Sequence, residues 1–83
     1  MSKFGKLENR IRSLSNDICF DEIKTYLEHY GFQISTTGGS HFVFRNQGER
    51  VVISGKKRHV AKYQVKQAVE AVNRIAEKLA REE

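Results

Sequence analysis

The amino-acid sequence predicts a two-layer α+β domain, in which helices cover one face of a three-stranded antiparallel sheet. The first observation is the length of 83 residues, because a chain of this size buries only about 60% of the surface that its unfolded state exposes. The second is the order of hydrophobic patterns, which runs from helical spacing to alternation and back to helical spacing. The third is the absence of proline and of internal repeats. We therefore expect a single domain over residues 1–83, with any active site on its surface.

The first two patterns are helical. Apolar residues recur at three- and four-residue steps over Lys3–Leu14, which predicts a short amphipathic helix that ends before residues 15–17. A second helix is predicted over Asp21–Tyr30, with its acidic residues at the positive N-terminal end. Gly31 follows where a helix C-terminus favours a left-handed residue.

Three short strands are predicted next, over Phe32–Thr36, His41–Arg45 and Arg50–Ser54. The segments 37–40 and 46–49 have the composition of turns. Because side chains alternate along a strand, the middle strand has two faces. We expect Phe42 and Phe44 to face the helices, and His41, Val43 and Arg45 to lie on the opposite face.

The last pattern is the clearest helix. Its apolar stripe is Ala61, Val65, Ala68, Val69, Val72, Ala76 and Leu79, which we expect to be core. Glu70–Arg74 and Glu77–Arg81 are spaced as ion pairs on the solvent side. After the first helix the order α-β-β-β-α is that of the double-stranded RNA-binding domain. We interpret residues 1–16 as an N-terminal helical extension and residues 20–80 as the core.

The charge of the chain favours a polyanionic partner, nucleic acid first. Lysine and arginine number 15 against 10 acidic residues, which gives a net charge of +5. The surplus is concentrated between positions 45 and 66, where the only acid is Glu49. The basic residues of this segment are Arg45, Arg50, Lys56, Lys57, Arg58, Lys62 and Lys66.

The sequence also indicates a cytoplasmic protein. No apolar run approaches the ~20 residues that span a bilayer, and no apolar stretch follows Lys3 and Lys6 as in a signal peptide. The single cysteine, Cys19, cannot form an internal disulfide and suits a reducing compartment. Three scattered histidines and one cysteine show no metal-ligand spacing, so we expect neither a metal nor a small-molecule cofactor.

His41 is the strongest candidate for chemistry. It follows Gly38-Gly39-Ser40, where glycines let a substrate backbone approach closely and expose N–H groups that can hold a phosphate. The Ser40 hydroxyl can donate to a phosphate oxygen or orient the imidazole. Imidazole ionises near neutral pH, which suits proton transfer to and from oxygen. The same short pattern is also that of an ordinary polar residue at the start of a strand.

Several segments resemble, in order, the HicA family of toxins from toxin–antitoxin modules. They are Phe20–Ile23, Tyr30–Phe32, Gly39–Arg45 and Tyr63–Glu70. The resemblance implies a fold like the double-stranded RNA-binding domain, metal-independent cleavage of mRNA, and inhibition by a HicB antitoxin that covers the catalytic surface. It also implies that His41, in Gly39-Ser40-His41, is the catalytic residue.

One departure from the family pattern concerns the segment after the third strand. Many members carry there a proline, one or two histidines and a glycine, whereas residues 54–59 read Ser-Gly-Lys-Lys-Arg-His. The proline is missing and the histidine comes later. His59 is therefore a candidate second functional residue, with three open interpretations: a proton donor, a phosphate contact or a residue of the loop alone.

The predicted function is that of a ribonuclease in which the ribose 2′-OH is the internal nucleophile. His41 would transfer a proton, with help from a water or from Lys56 or Lys57. The residues expected to bind RNA are Gly39, Ser40, Arg45, Lys56, Lys57, Arg58 and Lys62. Two other functions stay open: a non-catalytic RNA-binding module of the same fold, and an interaction protein whose basic face docks an acidic partner.

Overall fold

The computed structural model describes residues 3–36, 38–56 and 58–81. Within these ranges, three helices and three strands follow one another in the predicted order. They are α1 (Lys3–Arg12), α2 (Phe20–His29), β1 (Gln33–Thr36), β2 (His41–Asn46), β3 (Glu49–Ser54) and α3 (Lys62–Arg81). The strands form one antiparallel sheet of order β1-β2-β3, and the helices pack on one face of it. The predicted α+β fold, with an α-β-β-β-α core after an N-terminal helix, is confirmed.

Helix α1 ends at Arg12, two residues before the predicted end at Leu14. Leu14 adopts a left-handed conformation, with φ of 57°. Its N–H donates to the carbonyl of Ile11 at 3.0 Å, and the N–H of Ser15 donates to the carbonyl of Arg10 at 3.3 Å. These two bonds close a Schellman motif with leucine at the usual glycine position. The hydrophobic spacing predicted too long a helix, because Leu14 packs against the core although it lies beyond the last helical residue.

Helix α2 begins and ends one residue earlier than predicted. Half-buried Cys19 is its N-cap, and the carboxylate of Glu22 accepts the Cys19 N–H at 3.0 Å. At the other end Gly31 has φ of 91°. Its N–H and that of Phe32 close a second Schellman motif on the last turn, with bonds of 3.0 and 3.1 Å. The predicted left-handed glycine is therefore confirmed.

The β2–β3 hairpin is tighter than its composition indicated. Asn46 pairs with Glu49, so each strand is one residue longer than predicted and the turn contains only Gln47 and Gly48. Both turn residues have positive φ, of 46° and 85°, which is the type I′ conformation. This register places His41 opposite Ser54 at the far end of the hairpin.

The two faces of β2 are those predicted. Phe44 is fully buried against the helices, and the half-buried ring of Phe42 packs on that of Phe20 at a centroid distance of 4.7 Å. Val43 lies on the opposite face but is only 3% exposed. It sits in the central strand between Ser35 and Val52, so the flanking strands shield it.

Helix α3 buries a different stripe from the predicted one at its C-terminal end. The buried residues are Gln64, Val65, Ala68, Ala71, Val72 and Ile75, while Ala76 and Leu79 are exposed. Lys78 and Leu79 both continue the three- and four-residue spacing from Ile75, but Lys78 is half-buried and Leu79 is exposed. The Lys78 amine donates to the carbonyl of Gln47 at 2.8 Å.

Charged residues of α3 pair with the hairpin rather than along the helix, contrary to the predicted Glu70–Arg74 pair. Arg74 and Lys78 reach the two carboxylate oxygens of Glu49, at 2.7 and 3.3 Å. The hydrogen bond from Arg74 lowers the pKa of Glu49 below its usual range. These contacts fasten the C-terminal half of α3 to the start of β3.

Helix α1 packs on α2 and α3. Its Ile11 is fully buried in the common core, and the ring of Phe4 stacks on His29 at 3.7 Å. Arg10 pairs with Glu22 and with Asp17. In the described ranges, none of the helices is both long and apolar enough to cross a membrane.

Candidate active site around His41

His41 is the first residue of β2, and its side chain is exposed. It alternates with Phe42, whose ring points toward the helices, and it faces Ser54 across the hairpin. The half-buried Ser40 and the exposed Gly38 and Gly39 precede it, while Thr37 of the same turn lies outside the described residues. The imidazole therefore stands at the open end of the middle strand, as the sequence predicts.

The chain between β3 and α3, which we call the β3–α3 loop (residues 55–61), is fastened at both ends by main-chain hydrogen bonds. The N–H of Gly55 donates to the carbonyl of Ser40 at 2.7 Å, and the N–H of Val60 donates to that of Ile18 at 2.7 Å. The Val60 side chain is buried. The first bond holds the loop against the turn that carries Ser40, beside the start of β2, and the second holds its other end against the segment before α2.

Gly55 permits this close approach because it has no side chain. A Cβ atom at Gly55 would lie 2.8 Å from Cε2 of Phe42 and 3.6 Å from the carbonyl oxygen of Ser40. The first distance is far inside van der Waals contact. Any other residue at this position would force the Phe42 ring to shift, so glycine lets the loop leave β3 directly against that ring.

The β3–α3 loop forms one wall of a cleft of about 230 Å³ beside His41. The residues lining it are His41, Ser54, His59, Ala61, Tyr63 and Gln64. The structure thus brings together the two histidines that the sequence singled out, although they are separated by the whole hairpin. This position beside His41 is what a proton donor or a phosphate contact requires of His59.

The sequence analysis missed Tyr63 and Gln64 as members of the cleft. Tyr63 is 65% exposed, and Gln64 is only 8% exposed. The available signal was their position in the first turn of α3, where an aromatic residue lies off the apolar stripe and a polar residue lies on it. That signal identifies two unusual residues but gives no location relative to His41.

The other residues predicted to bind RNA fall into two groups. Lys56, Arg58 and Lys62 are exposed on the β3–α3 loop and at the first turn of α3; they do not line the cleft themselves, but Arg58 and Lys62 adjoin lining residues in the chain. Lys57 lies outside the described residues. Arg45 lies at the opposite end of β2, where it faces Arg50 across the strands. These two arginines line a separate, larger cleft of about 560 Å³, so Arg45 is not brought to the His41 cleft.

The cations beside the cleft have no acidic partners within the part of the chain that the structure describes. The acids that form ion pairs there are Glu8, Asp17, Glu22 and Glu49, and their partners are Arg10, Arg12, Arg74 and Lys78. None of the described residues that line the cleft carries a carboxylate. Its surroundings are therefore positively charged and open to an anion.

The cleft combines groups that suit chemistry on a phosphate ester. Two imidazoles can exchange protons with oxygen atoms, and free cations can hold phosphates. An exposed phenol ring offers a stacking surface for a base. This combination favours chemistry on a phosphate ester of a nucleic acid more strongly than His41 alone does.

In a comparison with protein families, residues 20–73 match a family described as the HicA toxin of bacterial toxin–antitoxin systems. The matched range contains α2, the whole sheet, the β3–α3 loop and the first part of α3, and so every residue that lines the cleft. No curated protein and no solved structure matches the chain significantly.

Proposed function

Because the chain belongs to the HicA toxin family of bacterial toxin–antitoxin modules, we propose that it is a metal-independent mRNA interferase with His41 as its catalytic residue. The observation that carries the proposal is the cleft in which the exposed His41 and His59 are brought together. RNA contains its own nucleophile, the 2′-OH, so the protein needs only to position it, move two protons and stabilise charge.

The proposed reaction uses the two histidines as base and acid. Neutral His41 takes the proton of the 2′-OH while the 2′-oxygen attacks the adjacent phosphorus. Protonated His59 gives its proton to the 5′-oxygen as the bond between phosphorus and that oxygen breaks. The products are a 2′,3′-cyclic phosphate and a free 5′-OH, and a later proton exchange with water restores both imidazoles.

The remaining candidates would hold the RNA. The N–H groups of Gly39 and Ser40 and the side chains of Lys56, Arg58 and Lys62 belong to the segments that carry the lining residues of the cleft, and they suit contacts with the scissile and neighbouring phosphates. Lys57 belongs to the same basic run of the sequence. Arg45 is roughly 13 Å from His41 along the strand, so its proposed contact is with a nucleotide farther along the chain.

The proposed partner is a HicB-type antitoxin that covers the cleft, in the cytoplasm. The family assignment supports an antitoxin partner. The unpaired cations beside the cleft suit acidic side chains of such a partner. Covering His41 would exclude RNA from the imidazole and keep the toxin inactive.

The test is cleavage of a single-stranded RNA by purified protein with His41→Ala, with His29→Gln as the control because His29 lies on α2 away from the cleft. We expect His41→Ala to lower the cleavage rate at least 100-fold and to leave RNA binding largely unchanged. An RNA with a 2′-deoxy residue at the scissile position should not be cleaved. Cleavage by His41→Ala at the wild-type rate would contradict the proposal, and binding without cleavage by the wild type would favour the non-catalytic RNA-binding module.

The same assay over a range of pH separates the role of His59 from that of a lysine. The wild type should show a bell-shaped rate profile, because the base must be neutral and the acid protonated. His59→Gln should lower the rate at least tenfold and remove the fall on the alkaline side. If Lys56→Ala produces that change and His59→Gln does not, the acid is a lysine and His59 has no catalytic role.

A further inference from the structure

We propose that Tyr63 and Gln64 form a binding subsite for one unpaired nucleotide base beside the scissile phosphate, which makes single-stranded RNA the substrate. This inference rests on the proposed ribonuclease function, since it assigns the substrate class of the same cleft. The two residues are neighbours in the first turn of α3, and both line the cleft that contains His41 and His59.

The exposure of Tyr63 is typical of an aromatic residue that binds a ligand, not of one that packs in the core. The other two tyrosines, Tyr26 and Tyr30, are buried or half-buried and contact Phe4 and each other in the core. The ring of Tyr63 is 65% exposed at the edge of the cleft. An exposed aromatic ring beside free cations is the arrangement on which proteins stack the bases of single strands.

Gln64 is the only buried polar residue in the described ranges, at 8% exposure. Gln64 lines the cleft, and its side-chain amide makes no hydrogen bond to any described residue but is accessible to solvent rather than buried without a partner. An amide has both donors and an acceptor, so it can pair with the edge of a base. The amide donors and acceptor of Gln64 are therefore free to bind a ligand in the cleft.

The start of α3 supplies a place for the phosphate of the same nucleotide. The N-cap position is Ala61, whose carbonyl accepts the N–H groups of Gln64 and Val65 but whose side chain cannot cap the helix. Within the described ranges, the N–H groups of Lys62 and Tyr63 have no backbone acceptor. Free N–H groups at a helix N-terminus attract an anion. A nucleotide whose phosphate lies there has its base within reach of Tyr63 and Gln64.

This arrangement selects single strands, because a base inside a duplex is stacked and paired and cannot present both its face and its edge to the protein. The experiment compares cleavage of a short single-stranded RNA with that of the same RNA annealed to its complement. The variants are Tyr63→Ala, Tyr63→Phe and Gln64→Glu. Leu79→Ala is the matched control, since Leu79 is also an exposed apolar residue of α3 but lies about 24 Å along the helix.

We expect the wild type to cleave the single strand and to leave the duplex intact. Tyr63→Ala should raise KM about tenfold with little change in kcat, because it removes a stacking surface used in binding. Tyr63→Phe keeps the ring and should raise KM less than Tyr63→Ala does, whereas Leu79→Ala should behave as the wild type. Gln64→Glu should change the preferred base at one position beside the cut, because it replaces amide donors by an acceptor.

A binding measurement tests the base subsite independently of RNA cleavage. The probe is a single-stranded oligonucleotide with 2-aminopurine beside a non-cleavable 2′-deoxy position, and stacking on Tyr63 should quench its fluorescence. Quenching by the wild type and not by Tyr63→Ala supports the subsite even if no RNA is cleaved. Equal cleavage of duplex and single strand would overturn the inference. So would unchanged KM and base preference in both Tyr63→Ala and Gln64→Glu, even if His41→Ala is inactive.

Discussion

Tyr26 has a hydroxyl group that is fully buried and has no hydrogen-bond partner among the described residues. A buried polar atom without a partner costs about 1–3 kcal/mol of desolvation free energy. We therefore expect Tyr26→Phe to leave the free energy of unfolding unchanged or to raise it by up to about 2 kcal/mol. Urea unfolding of both proteins measures this difference, and a loss of more than about 1 kcal/mol would show that the hydroxyl is hydrogen-bonded in solution.

The pH dependence of the unfolding free energy provides a second test of the Tyr26→Phe substitution. Burial raises the pKa of Tyr26 to about 12, whereas tyrosine in an unfolded chain ionises near pH 10. The unfolded state then loses its proton first, so this contribution is fully present below pH 10 and is lost as the pH rises through 12. The decline in unfolding free energy over that interval should be smaller in Tyr26→Phe.

The residues of the candidate site differ in how far the sequence predicts them. His41 is singled out as a candidate by its neighbours in the chain, Gly39 and Ser40, and its exposed position at the start of β2 follows from the local strand pattern. The placement of His59 depends on the bonds from Gly55 to Ser40 and from Val60 to Ile18. Contacts between distant parts of the chain leave no periodic signal, so the meeting of His59 with His41 could not be predicted.

At the scale of elements, the β3–α3 loop and the sheet are coupled through Gly55. Gly55→Ala would place a methyl group 2.8 Å from the Phe42 ring, which must shift within its contact with Phe20. We expect a loss of about 1–3 kcal/mol in unfolding free energy and slower RNA cleavage, because the loop that carries His59 is displaced.

Gly39→Ala is the matched control for stability, because a Cβ atom there has no neighbour within 4 Å. Its unfolding free energy should stay within about 0.5 kcal/mol of the wild type. Denaturant titrations of the three proteins give the comparison. Equal stability of Gly55→Ala and Gly39→Ala would mean that the Phe42 ring moves aside without cost and that the loop is not held tightly.

The bounds of the elements were predictable where a local residue determines them and uncertain where packing does. Gly31 ends α2 as expected because its left-handed conformation is a property of glycine. Leu14 adopts a similar conformation at the end of α1, and no propensity favours it. At the end of α3, Lys78 takes the core-facing position because Gln47 and Glu49 of the hairpin offer it oxygen atoms.

On the scale of the whole molecule, one core joins α1 to the sheet, although the family match begins only at residue 20. Ile11 is fully buried in that core. We expect Ile11→Ala to lower the unfolding free energy by about 2–4 kcal/mol, whereas the exposed Lys6→Ala should change it by less than about 0.5 kcal/mol. If chemical denaturation gives the same small loss of unfolding free energy for both variants, α1 does not fold cooperatively with the rest of the domain.

The β3–α3 loop is held by backbone atoms at each end, through Gly55 with Ser40 and Val60 with Ile18. Neither bond involves a side chain of the intervening positions, among which are Lys56, Arg58 and His59. Mutations at these positions therefore leave both attachments available. Over evolutionary time, or in a combinatorial library, the loop could acquire new preferences for RNA or for an inhibitor while its path along the protein is preserved.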